Sequence, residues 1–250
     1  MAQPRNLKNP PIVEAIVNLA VRFPSPPKPE TFAELAKDLG PSYQAPENRN
    51  MWQIVLGQAP AAIVPVSGPP VVNSYVFKSV DGLSVVQSKT DGFAFSALPP
   101  YKGWPDLIGG ALPLWEKYRD RYLPDRVVRC SLRFINRLML PGPIIDFDDY
   151  IIGGPKIPPE LPQSLSEFSV SYVLPLNPIG AAIGRVQLAF SSNQMAESHT
   201  PVILDLDILQ ECDIDPMDLS EVKKIFDNLR ALKNHVFFGT LTETAVKVFE

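Results

Sequence analysis

The chain has 250 residues, of which 45% are hydrophobic and 20% charged, with a formal net charge of −4. These values suit one large domain or two halves that share a core, and they exclude wholesale disorder. The negative charge argues against non-specific binding to nucleic acid. No signal-peptide run opens the chain and no apolar stretch is long enough for a membrane span. Cys130 and Cys212 form no disulfide framework, so we expect a cytoplasmic protein.

Hydrophobic periodicity divides the first half of the chain into strands and helices. Residues 14–23 alternate, with Val17 and Leu19 on one face and Glu14 and Asn18 on the other, which predicts a strand. Proline near the start and glycine at the end predict a short helix over 29–40. Further strands are expected at 51–57, 71–80 and 83–97, with a hairpin turn at Asp81-Gly82, followed by a helix over 104–122 that Pro113 kinks.

The second half repeats this order of elements. We expect a strand at 129–137, a short helix at 146–152, strands at 165–176, 181–192 and 201–210, and a long helix over 218–238. A capping box from Thr240 to Glu243 predicts a last helix that reaches Phe249. The predicted fold class is α+β, with antiparallel sheet and helices packed on one face. We expect a single domain over 1–250. An alternative of two similar strand-strand-strand-helix halves, 1–140 and 141–250, stays open.

Charge is sorted by face in the stretch "RCSLRFINR", residues 129–137. Extended geometry points its arginines one way and Cys130, Leu132 and Phe134 the other, and only Asn136 brings a polar group to the apolar face. Similar alternation predicts one polar sheet face, whose candidate residues are Arg22, Arg129, Arg133, Arg137, Arg185, Asp205 and Asp207. That face is either solvated, with cross-strand ion pairs, or it binds an anionic ligand or a partner through the arginine forks.

Motifs of common catalytic sites are absent from the sequence. The two histidines, His199 and His235, lack metal-ligand spacing, and no nucleophile elbow, phosphate loop or dinucleotide fingerprint occurs. Acids cluster at 146–150 and 211–218, where helix capping is the better interpretation than cation binding. We therefore expect no metal and no cofactor, and an enzyme is the less favoured hypothesis.

Two motifs carry a resemblance to a known family. The first is Pro11, Glu14 and Ala15 in the opening strand, and the second is Leu132, Arg133, Phe134, Asn136 and Arg137 in the central one. Together with Gln87 and the closing "FFGTLTETA", they resemble a family of sporadically distributed, uncharacterised bacterial proteins of similar length. The resemblance spans most of the chain and implies an accessory locus, of the defence or toxin–antitoxin type, because patchy distribution is typical of mobile genes. It favours a functional or architectural role for Arg133, Asn136 and Arg137. Glu14 and Asn136 are the motif residues to which we assign the architectural role.

These observations favour a non-enzymatic cytoplasmic protein that binds a partner protein encoded at the same locus, with homodimer formation as a further expectation. The alternative is a sensor or enzyme that binds a small anionic ligand on the arginine-rich face. Membrane association and nucleic-acid binding are not expected. The role of Asn136 depends on its hydrogen-bond partners, since backbone partners would make the motif architectural.

Overall fold

The computed structural model describes residues 1–50, 72–142, 146–177, 179–194 and 198–250. Within these ranges the protein combines helices with one open antiparallel sheet of nine strands, so the α+β class is confirmed. The strand expected at 51–57 lies outside the described residues.

Nine strands follow one another across the sheet in the order β2-β3-β4-β5-β1-β6-β9-β8-β7, and every paired neighbour is antiparallel. The opening strand β1 and the arginine-bearing β6 therefore lie side by side at the centre. Their bounds are β1 Ile12–Arg22, β2 Glu47–Asn50, β3 Val72–Lys78, β4 Ser84–Lys89, β5 Gly92–Ala97, β6 Arg126–Pro141, β7 Glu167–Pro175, β8 Ile183–Ser191 and β9 His199–Ile214.

Four α-helices are present in the described part of the chain: α1 Ala36–Leu39, α2 Trp104–Tyr122, α3 Leu219–Thr240 and α4 Glu243–Lys247. A 3-10 helix over Pro29–Leu35 leads into α1, which splits the helix predicted for 29–40 into two kinds of turn. None of these helices combines the length and the apolar character that a bilayer crossing requires.

Helix starts agree with the capping rule but not always with the predicted residue. The Asp218 carboxylate accepts the Glu221 N–H at 2.9 Å and begins α3, as an acid before a helix should. The last helix does not begin at Thr240, as the capping box predicted. The Thr240 hydroxyl instead donates to the Val236 carbonyl inside α3, and Thr242 caps α4 by accepting the Ala245 N–H at 3.2 Å. The helix predicted over 146–152 is only a 3-10 turn, Phe147–Asp149.

Alternation along the central strands builds the core. Val17, Leu132 and Leu206, from three adjacent strands, are completely buried. Arg133 and Arg137, which alternate with buried residues along β6, are exposed. The Phe93 ring of β5 lies 6.1 Å from Trp115 of α2, centroid to centroid. The α3 stripe predicted from helical spacing is buried at Val222, Ile225, Phe226, Leu229, Leu232 and Val236.

The N-terminal segment, residues 1–11, is fixed to the C-terminal helices. The Ala2 N–H points at the carbonyls of Phe238 and Leu241, at 3.1 and 3.0 Å, and the Asn9 N–H donates to the Phe249 carbonyl at 3.0 Å. This segment therefore lies against the end of α3 and forms one wall of the cavity described below.

Candidate functional site

Four of the predicted polar-face residues lie together on β6, β8 and β9. The Arg133 guanidinium binds the Asp205 carboxylate with two contacts, Nε to Oδ1 at 2.9 Å and Nη2 to Oδ2 at 2.5 Å. Arg185 Nη1 lies 3.7 Å from Asp207 Oδ2. Asp207 Oδ1 is buried and accepts no hydrogen bond from the described residues, and burial raises the pKa of this carboxyl. Charges of opposite sign thus face each other across the strands.

The other three arginines are spread along the sheet. Arg22 pairs with Asp125 at 2.8 Å at the end of β1, and Arg129 stands 4.0 Å from Glu211. Arg137 is exposed and forms no ion pair with a described residue. A groove of about 420 Å³ on this face is lined by both signs of charge, including Glu14, Lys89, Arg133 and Asp207. This is a largely self-neutralised surface.

Asn136 has backbone partners. Its side-chain amide donates to the carbonyl of Phe134 on its own strand at 3.2 Å and to that of Leu204 on β9 at 3.0 Å. The residue is 2% exposed, so these bonds compensate the burial of the amide and give it an architectural role. Asn136 also lines a cavity on the opposite face of the sheet from the arginines.

This second cavity measures about 540 Å³ and lies between the N-terminal segment, β6, the start of α2 and α3. We call it the cationic cavity, because it contains basic but no acidic residues among the described ones that line it. Its basic residues are Arg5, Lys8, Lys102, Arg230 and Lys233, and its aromatic residues are Tyr101, Trp104, Phe134, Phe237 and Phe238. Arg5 is neutralised by Glu243 and Glu250, but the other four form no ion pair with a described residue.

Lys233 is the central group of the cationic cavity. Its Nζ lies 4.2 Å from the centroid of the Phe134 ring and 5.9 Å from that of Phe237, and it finds no hydrogen-bond acceptor in the described part of the chain. The side chain is half-buried and lines the cavity. Burial, reinforced by the charge of Arg230, lowers the pKa of Lys233 to about 8.

The surroundings of Lys233 are rigid and aromatic. Arg230 Cζ stands 5.4 Å from the Trp104 ring centroid, and the Trp104 indole N–H donates to Asp227 at 2.9 Å. Tyr101 packs edge to face on Phe134 at 5.7 Å, and burial raises the pKa of its hydroxyl to about 12. Cations held over aromatic faces keep part of their stabilisation without a carboxylate.

Sequence reasoning missed this cavity, although α3 carried a signal for it. Phe226, Arg230, Lys233 and Phe237 are spaced four, three and four residues apart, so the two basic residues lie on the stripe of two buried aromatic ones. A stripe interrupted by charge predicts either a solvated edge or a buried cation.

Two further groups of side chains, the cysteines and the acidic clusters, have different kinds of partner. The Cys212 thiol of β9 donates to the Val127 carbonyl of β6 at 3.5 Å, and the nearby Cys212 together with burial raises the pKa of Cys130. The acidic clusters serve local backbone groups, since Asp146 accepts the Asp148 N–H at 2.8 Å and Asp215 the Met217 N–H at 2.8 Å.

Comparison with known proteins adds no family to this geometry, because neither a protein-family model nor a curated protein matches the chain. The resemblance carried by the Leu132–Arg137 motif therefore stays a prediction. The chemistry of the site has to be argued from its own residues.

Proposed function

We propose that the protein binds a small organic anion with an aromatic or other planar apolar group in the cationic cavity. The observation that carries the proposal is Lys233, a half-buried ammonium that lines the cavity and has no acceptor among the described residues. A buried charge without a partner costs free energy, so a site that retains one is suited to an anion that supplies the missing partner.

Size and charge agree with this proposal. A volume of about 540 Å³ is within the range of small-molecule sites. The chain as a whole has a net charge of −4, yet the cavity gathers four cations that form no direct ion pair with a described residue, and low-dielectric walls focus such a field on an incoming anion. Aromatic walls provide apolar contact for a planar ring, while Arg230 and Lys102 can bind a carboxylate or a phosphate.

The sequence-based alternative assigned an anionic ligand to the arginine-rich face, and that prediction remains. The bidentate pairing of Arg133 with Asp205 weakens it, because an incoming anion would have to displace an internal carboxylate. No such competitor lies in the cationic cavity among its described lining residues. The geometry therefore favours the cavity.

Isothermal titration calorimetry with pyridoxine 5′-phosphate, an aromatic ring with a phosphate, tests the proposal. We expect saturable binding that weakens with added salt, because the contact is electrostatic. Arg230→Gln should lose about tenfold in affinity, or ~1.4 kcal/mol. Lys224→Gln removes an exposed charge of the same helix, paired with Glu221 at 3.2 Å, and should bind like the parent. Equal affinities of parent and Arg230→Gln would contradict the proposal.

The strand register indicates which face of the sheet the long helices cover. Phe93 pairs with Leu19, which pairs with Cys130 on β6, and Phe134 lies four residues from Cys130, so both phenylalanines share one face. Because α2 packs on Phe93 and α3 on Phe134, we infer that both long helices cover that face.

The sheet order also supports two similar halves, with a different boundary from the one predicted. In each half, the last strand of a three-strand meander pairs with the first strand of that half: β5 with β1, and β9 with β6. In each half a long helix follows the last strand of the meander: α2 follows β5, and α3 follows β9. We infer units over 12–122 and 126–240, so that β6 opens the second unit instead of closing the first.

A second candidate function, binding of a protein, is favoured by strand β7. It is one of the two edge strands of the described sheet, it contains no lysine or arginine, and Tyr172, Val173 and Leu174 are 39, 65 and 39% exposed. Its pairing with β8 continues over nine residues without a bulge. Natural edge strands are normally protected by charge, proline or bulges, so a long apolar edge favours addition of another strand.

We propose a second copy of the chain as the occupant of this edge. A two-fold axis at Ser171 would pair the residues from Phe168 to Leu174, with Leu174 opposite Phe168 and Val173 opposite Ser169. The only charged residue, Glu167, would then lie at opposite ends of the paired strands, which avoids repulsion. The partner encoded at the same locus stays a prediction, and this edge is the surface that we would assign to it.

Light scattering coupled to size exclusion tests the β7 proposal. We expect the parent to elute with twice its monomer mass of 27.6 kDa. Val173→Lys should be monomeric, since it inserts charge into the shared edge. Val80→Lys is the matched control, because Val80 is 64% exposed, close to the 65% of Val173, but lies far along the chain. A monomeric parent, or a dimer that Val173→Lys leaves intact, would reject a second copy of the chain as the occupant of the β7 edge. A different protein would then be the candidate partner of that edge.

A further inference from the structure

Lys233 differs chemically from the lysines around it. On the same helix, Lys223 is paired with Asp227 at 2.7 Å and Lys224 with Glu221 at 3.2 Å, so both have a carboxylate partner. Lys233 has no carboxylate partner in the described ranges and points its amine at the ring of Phe134. It is held by a helix of 22 residues, α3, whose apolar stripe is buried, so its position is well defined.

Burial and the charge of Arg230 favour the neutral amine, and they outweigh the aromatic contact with Phe134, which favours the ammonium. Only a neutral amine has the lone pair that attacks a carbonyl carbon, and enzymes obtain it by placing lysine in an apolar pocket beside another cation. Phe134 and Phe237 provide the apolar contact and Arg230 the neighbouring charge. The lowered pKa of Lys233, about 8, agrees with this placement. About a fifth of the amine is then neutral at pH ~7.4, far more than for a lysine of ordinary pKa.

We infer that Lys233 forms an imine with an aldehyde or ketone group of the anion that the cationic cavity binds. The inference rests on the proposed function and narrows it to a chemical class, organic anions that carry a reactive carbonyl. The cations of the cavity, Arg230 and Lys102, would hold the anionic group while the carbonyl lies against Nζ.

The reaction balances without an oxidant or another reactant. The Nζ lone pair forms a bond to the carbonyl carbon while the carbon–oxygen π electrons move to oxygen. One proton passes from nitrogen to that oxygen and gives a carbinolamine. The carbon–oxygen bond then breaks, the oxygen takes the second nitrogen proton and leaves as water, and the nitrogen lone pair completes the C=N bond. An amine and a carbonyl become an imine and water, with no change in oxidation state.

A matched pair of probes separates the two proposals. Pyridoxal 5′-phosphate carries an aldehyde where pyridoxine 5′-phosphate carries an alcohol. The protein is treated with less than one equivalent of the aldehyde, reduced with borohydride, digested and analysed by mass spectrometry. We expect the adduct on Lys233 at about tenfold higher occupancy than on exposed Lys224. Excess pyridoxine 5′-phosphate should protect Lys233, and Lys233→Arg should lose the adduct.

The outcomes identify which proposal fails. Binding of pyridoxine 5′-phosphate without an adduct on Lys233 would reject the imine and leave the anion site in place. An adduct on Lys233 no greater than on Lys224, or one that pyridoxine 5′-phosphate does not block, would also reject it. Absence of binding by either probe would reject the proposed function, and the imine with it.

Discussion

Replacing Lys233 by methionine is expected to raise the stability of the protein while it abolishes anion binding. Methionine has a similar length and suits an apolar site between Phe134 and Phe237. The ammonium it replaces is desolvated without a carboxylate among the described residues. A change in pKa from 10.5 to about 8 sets an upper limit of roughly 3 kcal/mol on the stabilisation at neutral pH. For a chain of this size, the thermal midpoint would rise by up to about 10 °C.

The pH dependence gives this prediction a sign that a packing effect would not have. Because the pKa of Lys233 is lower in the folded protein, protons bind more tightly to the unfolded chain. The resulting penalty is absent above pH 10.5, grows as the pH falls from 10.5 to about 8, and is constant below that. The difference between Lys233→Met and the parent should therefore be largest at pH 7 and shrink toward pH 10.5.

Denaturant unfolding at both pH values, together with calorimetry of pyridoxine 5′-phosphate binding, measures the two effects. Lys224→Met is the control, since its ammonium is exposed and paired with Glu221. It should change the free energy of unfolding by no more than about 0.5 kcal/mol and leave the affinity unchanged. A stabilised variant that no longer binds would be typical of a residue kept for function at the expense of stability. A destabilised Lys233→Met variant would show that the lysine is structural.

The sequence predicted the faces of the central strands well, because their pattern is local. Alternation alone places Leu132 and Phe134 opposite Arg133, and burial follows that assignment. It also placed Asp205 on the side of the arginines, where it binds Arg133. Strand order was not predictable in this way, since the pairing of β1 with β6 joins residues that are more than a hundred positions apart. No local pattern encodes such a pairing.

The cationic cavity was out of reach for the same physical reason. A lysine on a helix is normally solvated, and nothing in the residues next to Lys233 shows that the N-terminal segment folds over the end of α3. The error at Thr240 is of a smaller kind. Thr240 and Thr242 could each cap the last helix. Thr242 is the cap, because Thr240 is still part of α3. Local rules gave a candidate and the length of the preceding helix decided the outcome.

The stretch "RCSLRFINR" predicts its own order of mutational effects. Leu132→Ala should cost about 2–5 kcal/mol, because Leu132 is fully buried between Val17 and Ile208 and leaves a cavity. Asn136→Ala should cost about 1–3 kcal/mol through two lost hydrogen bonds. Arg137→Gln should stay within about 0.5 kcal/mol, since Arg137 is exposed.

Urea unfolding of the three variants with the parent checks this ranking, and each kcal/mol corresponds to about 2–4 °C in the thermal midpoint. If the polar face were only a solvated surface, Arg137→Gln would also leave every activity of the protein intact. If that face bound the partner or the anion, the variant would lose the activity at unchanged stability. A fall of several kcal/mol in the free energy of unfolding of Arg137→Gln would contradict the ranking. An exposed arginine would then contribute as much to stability as a buried leucine.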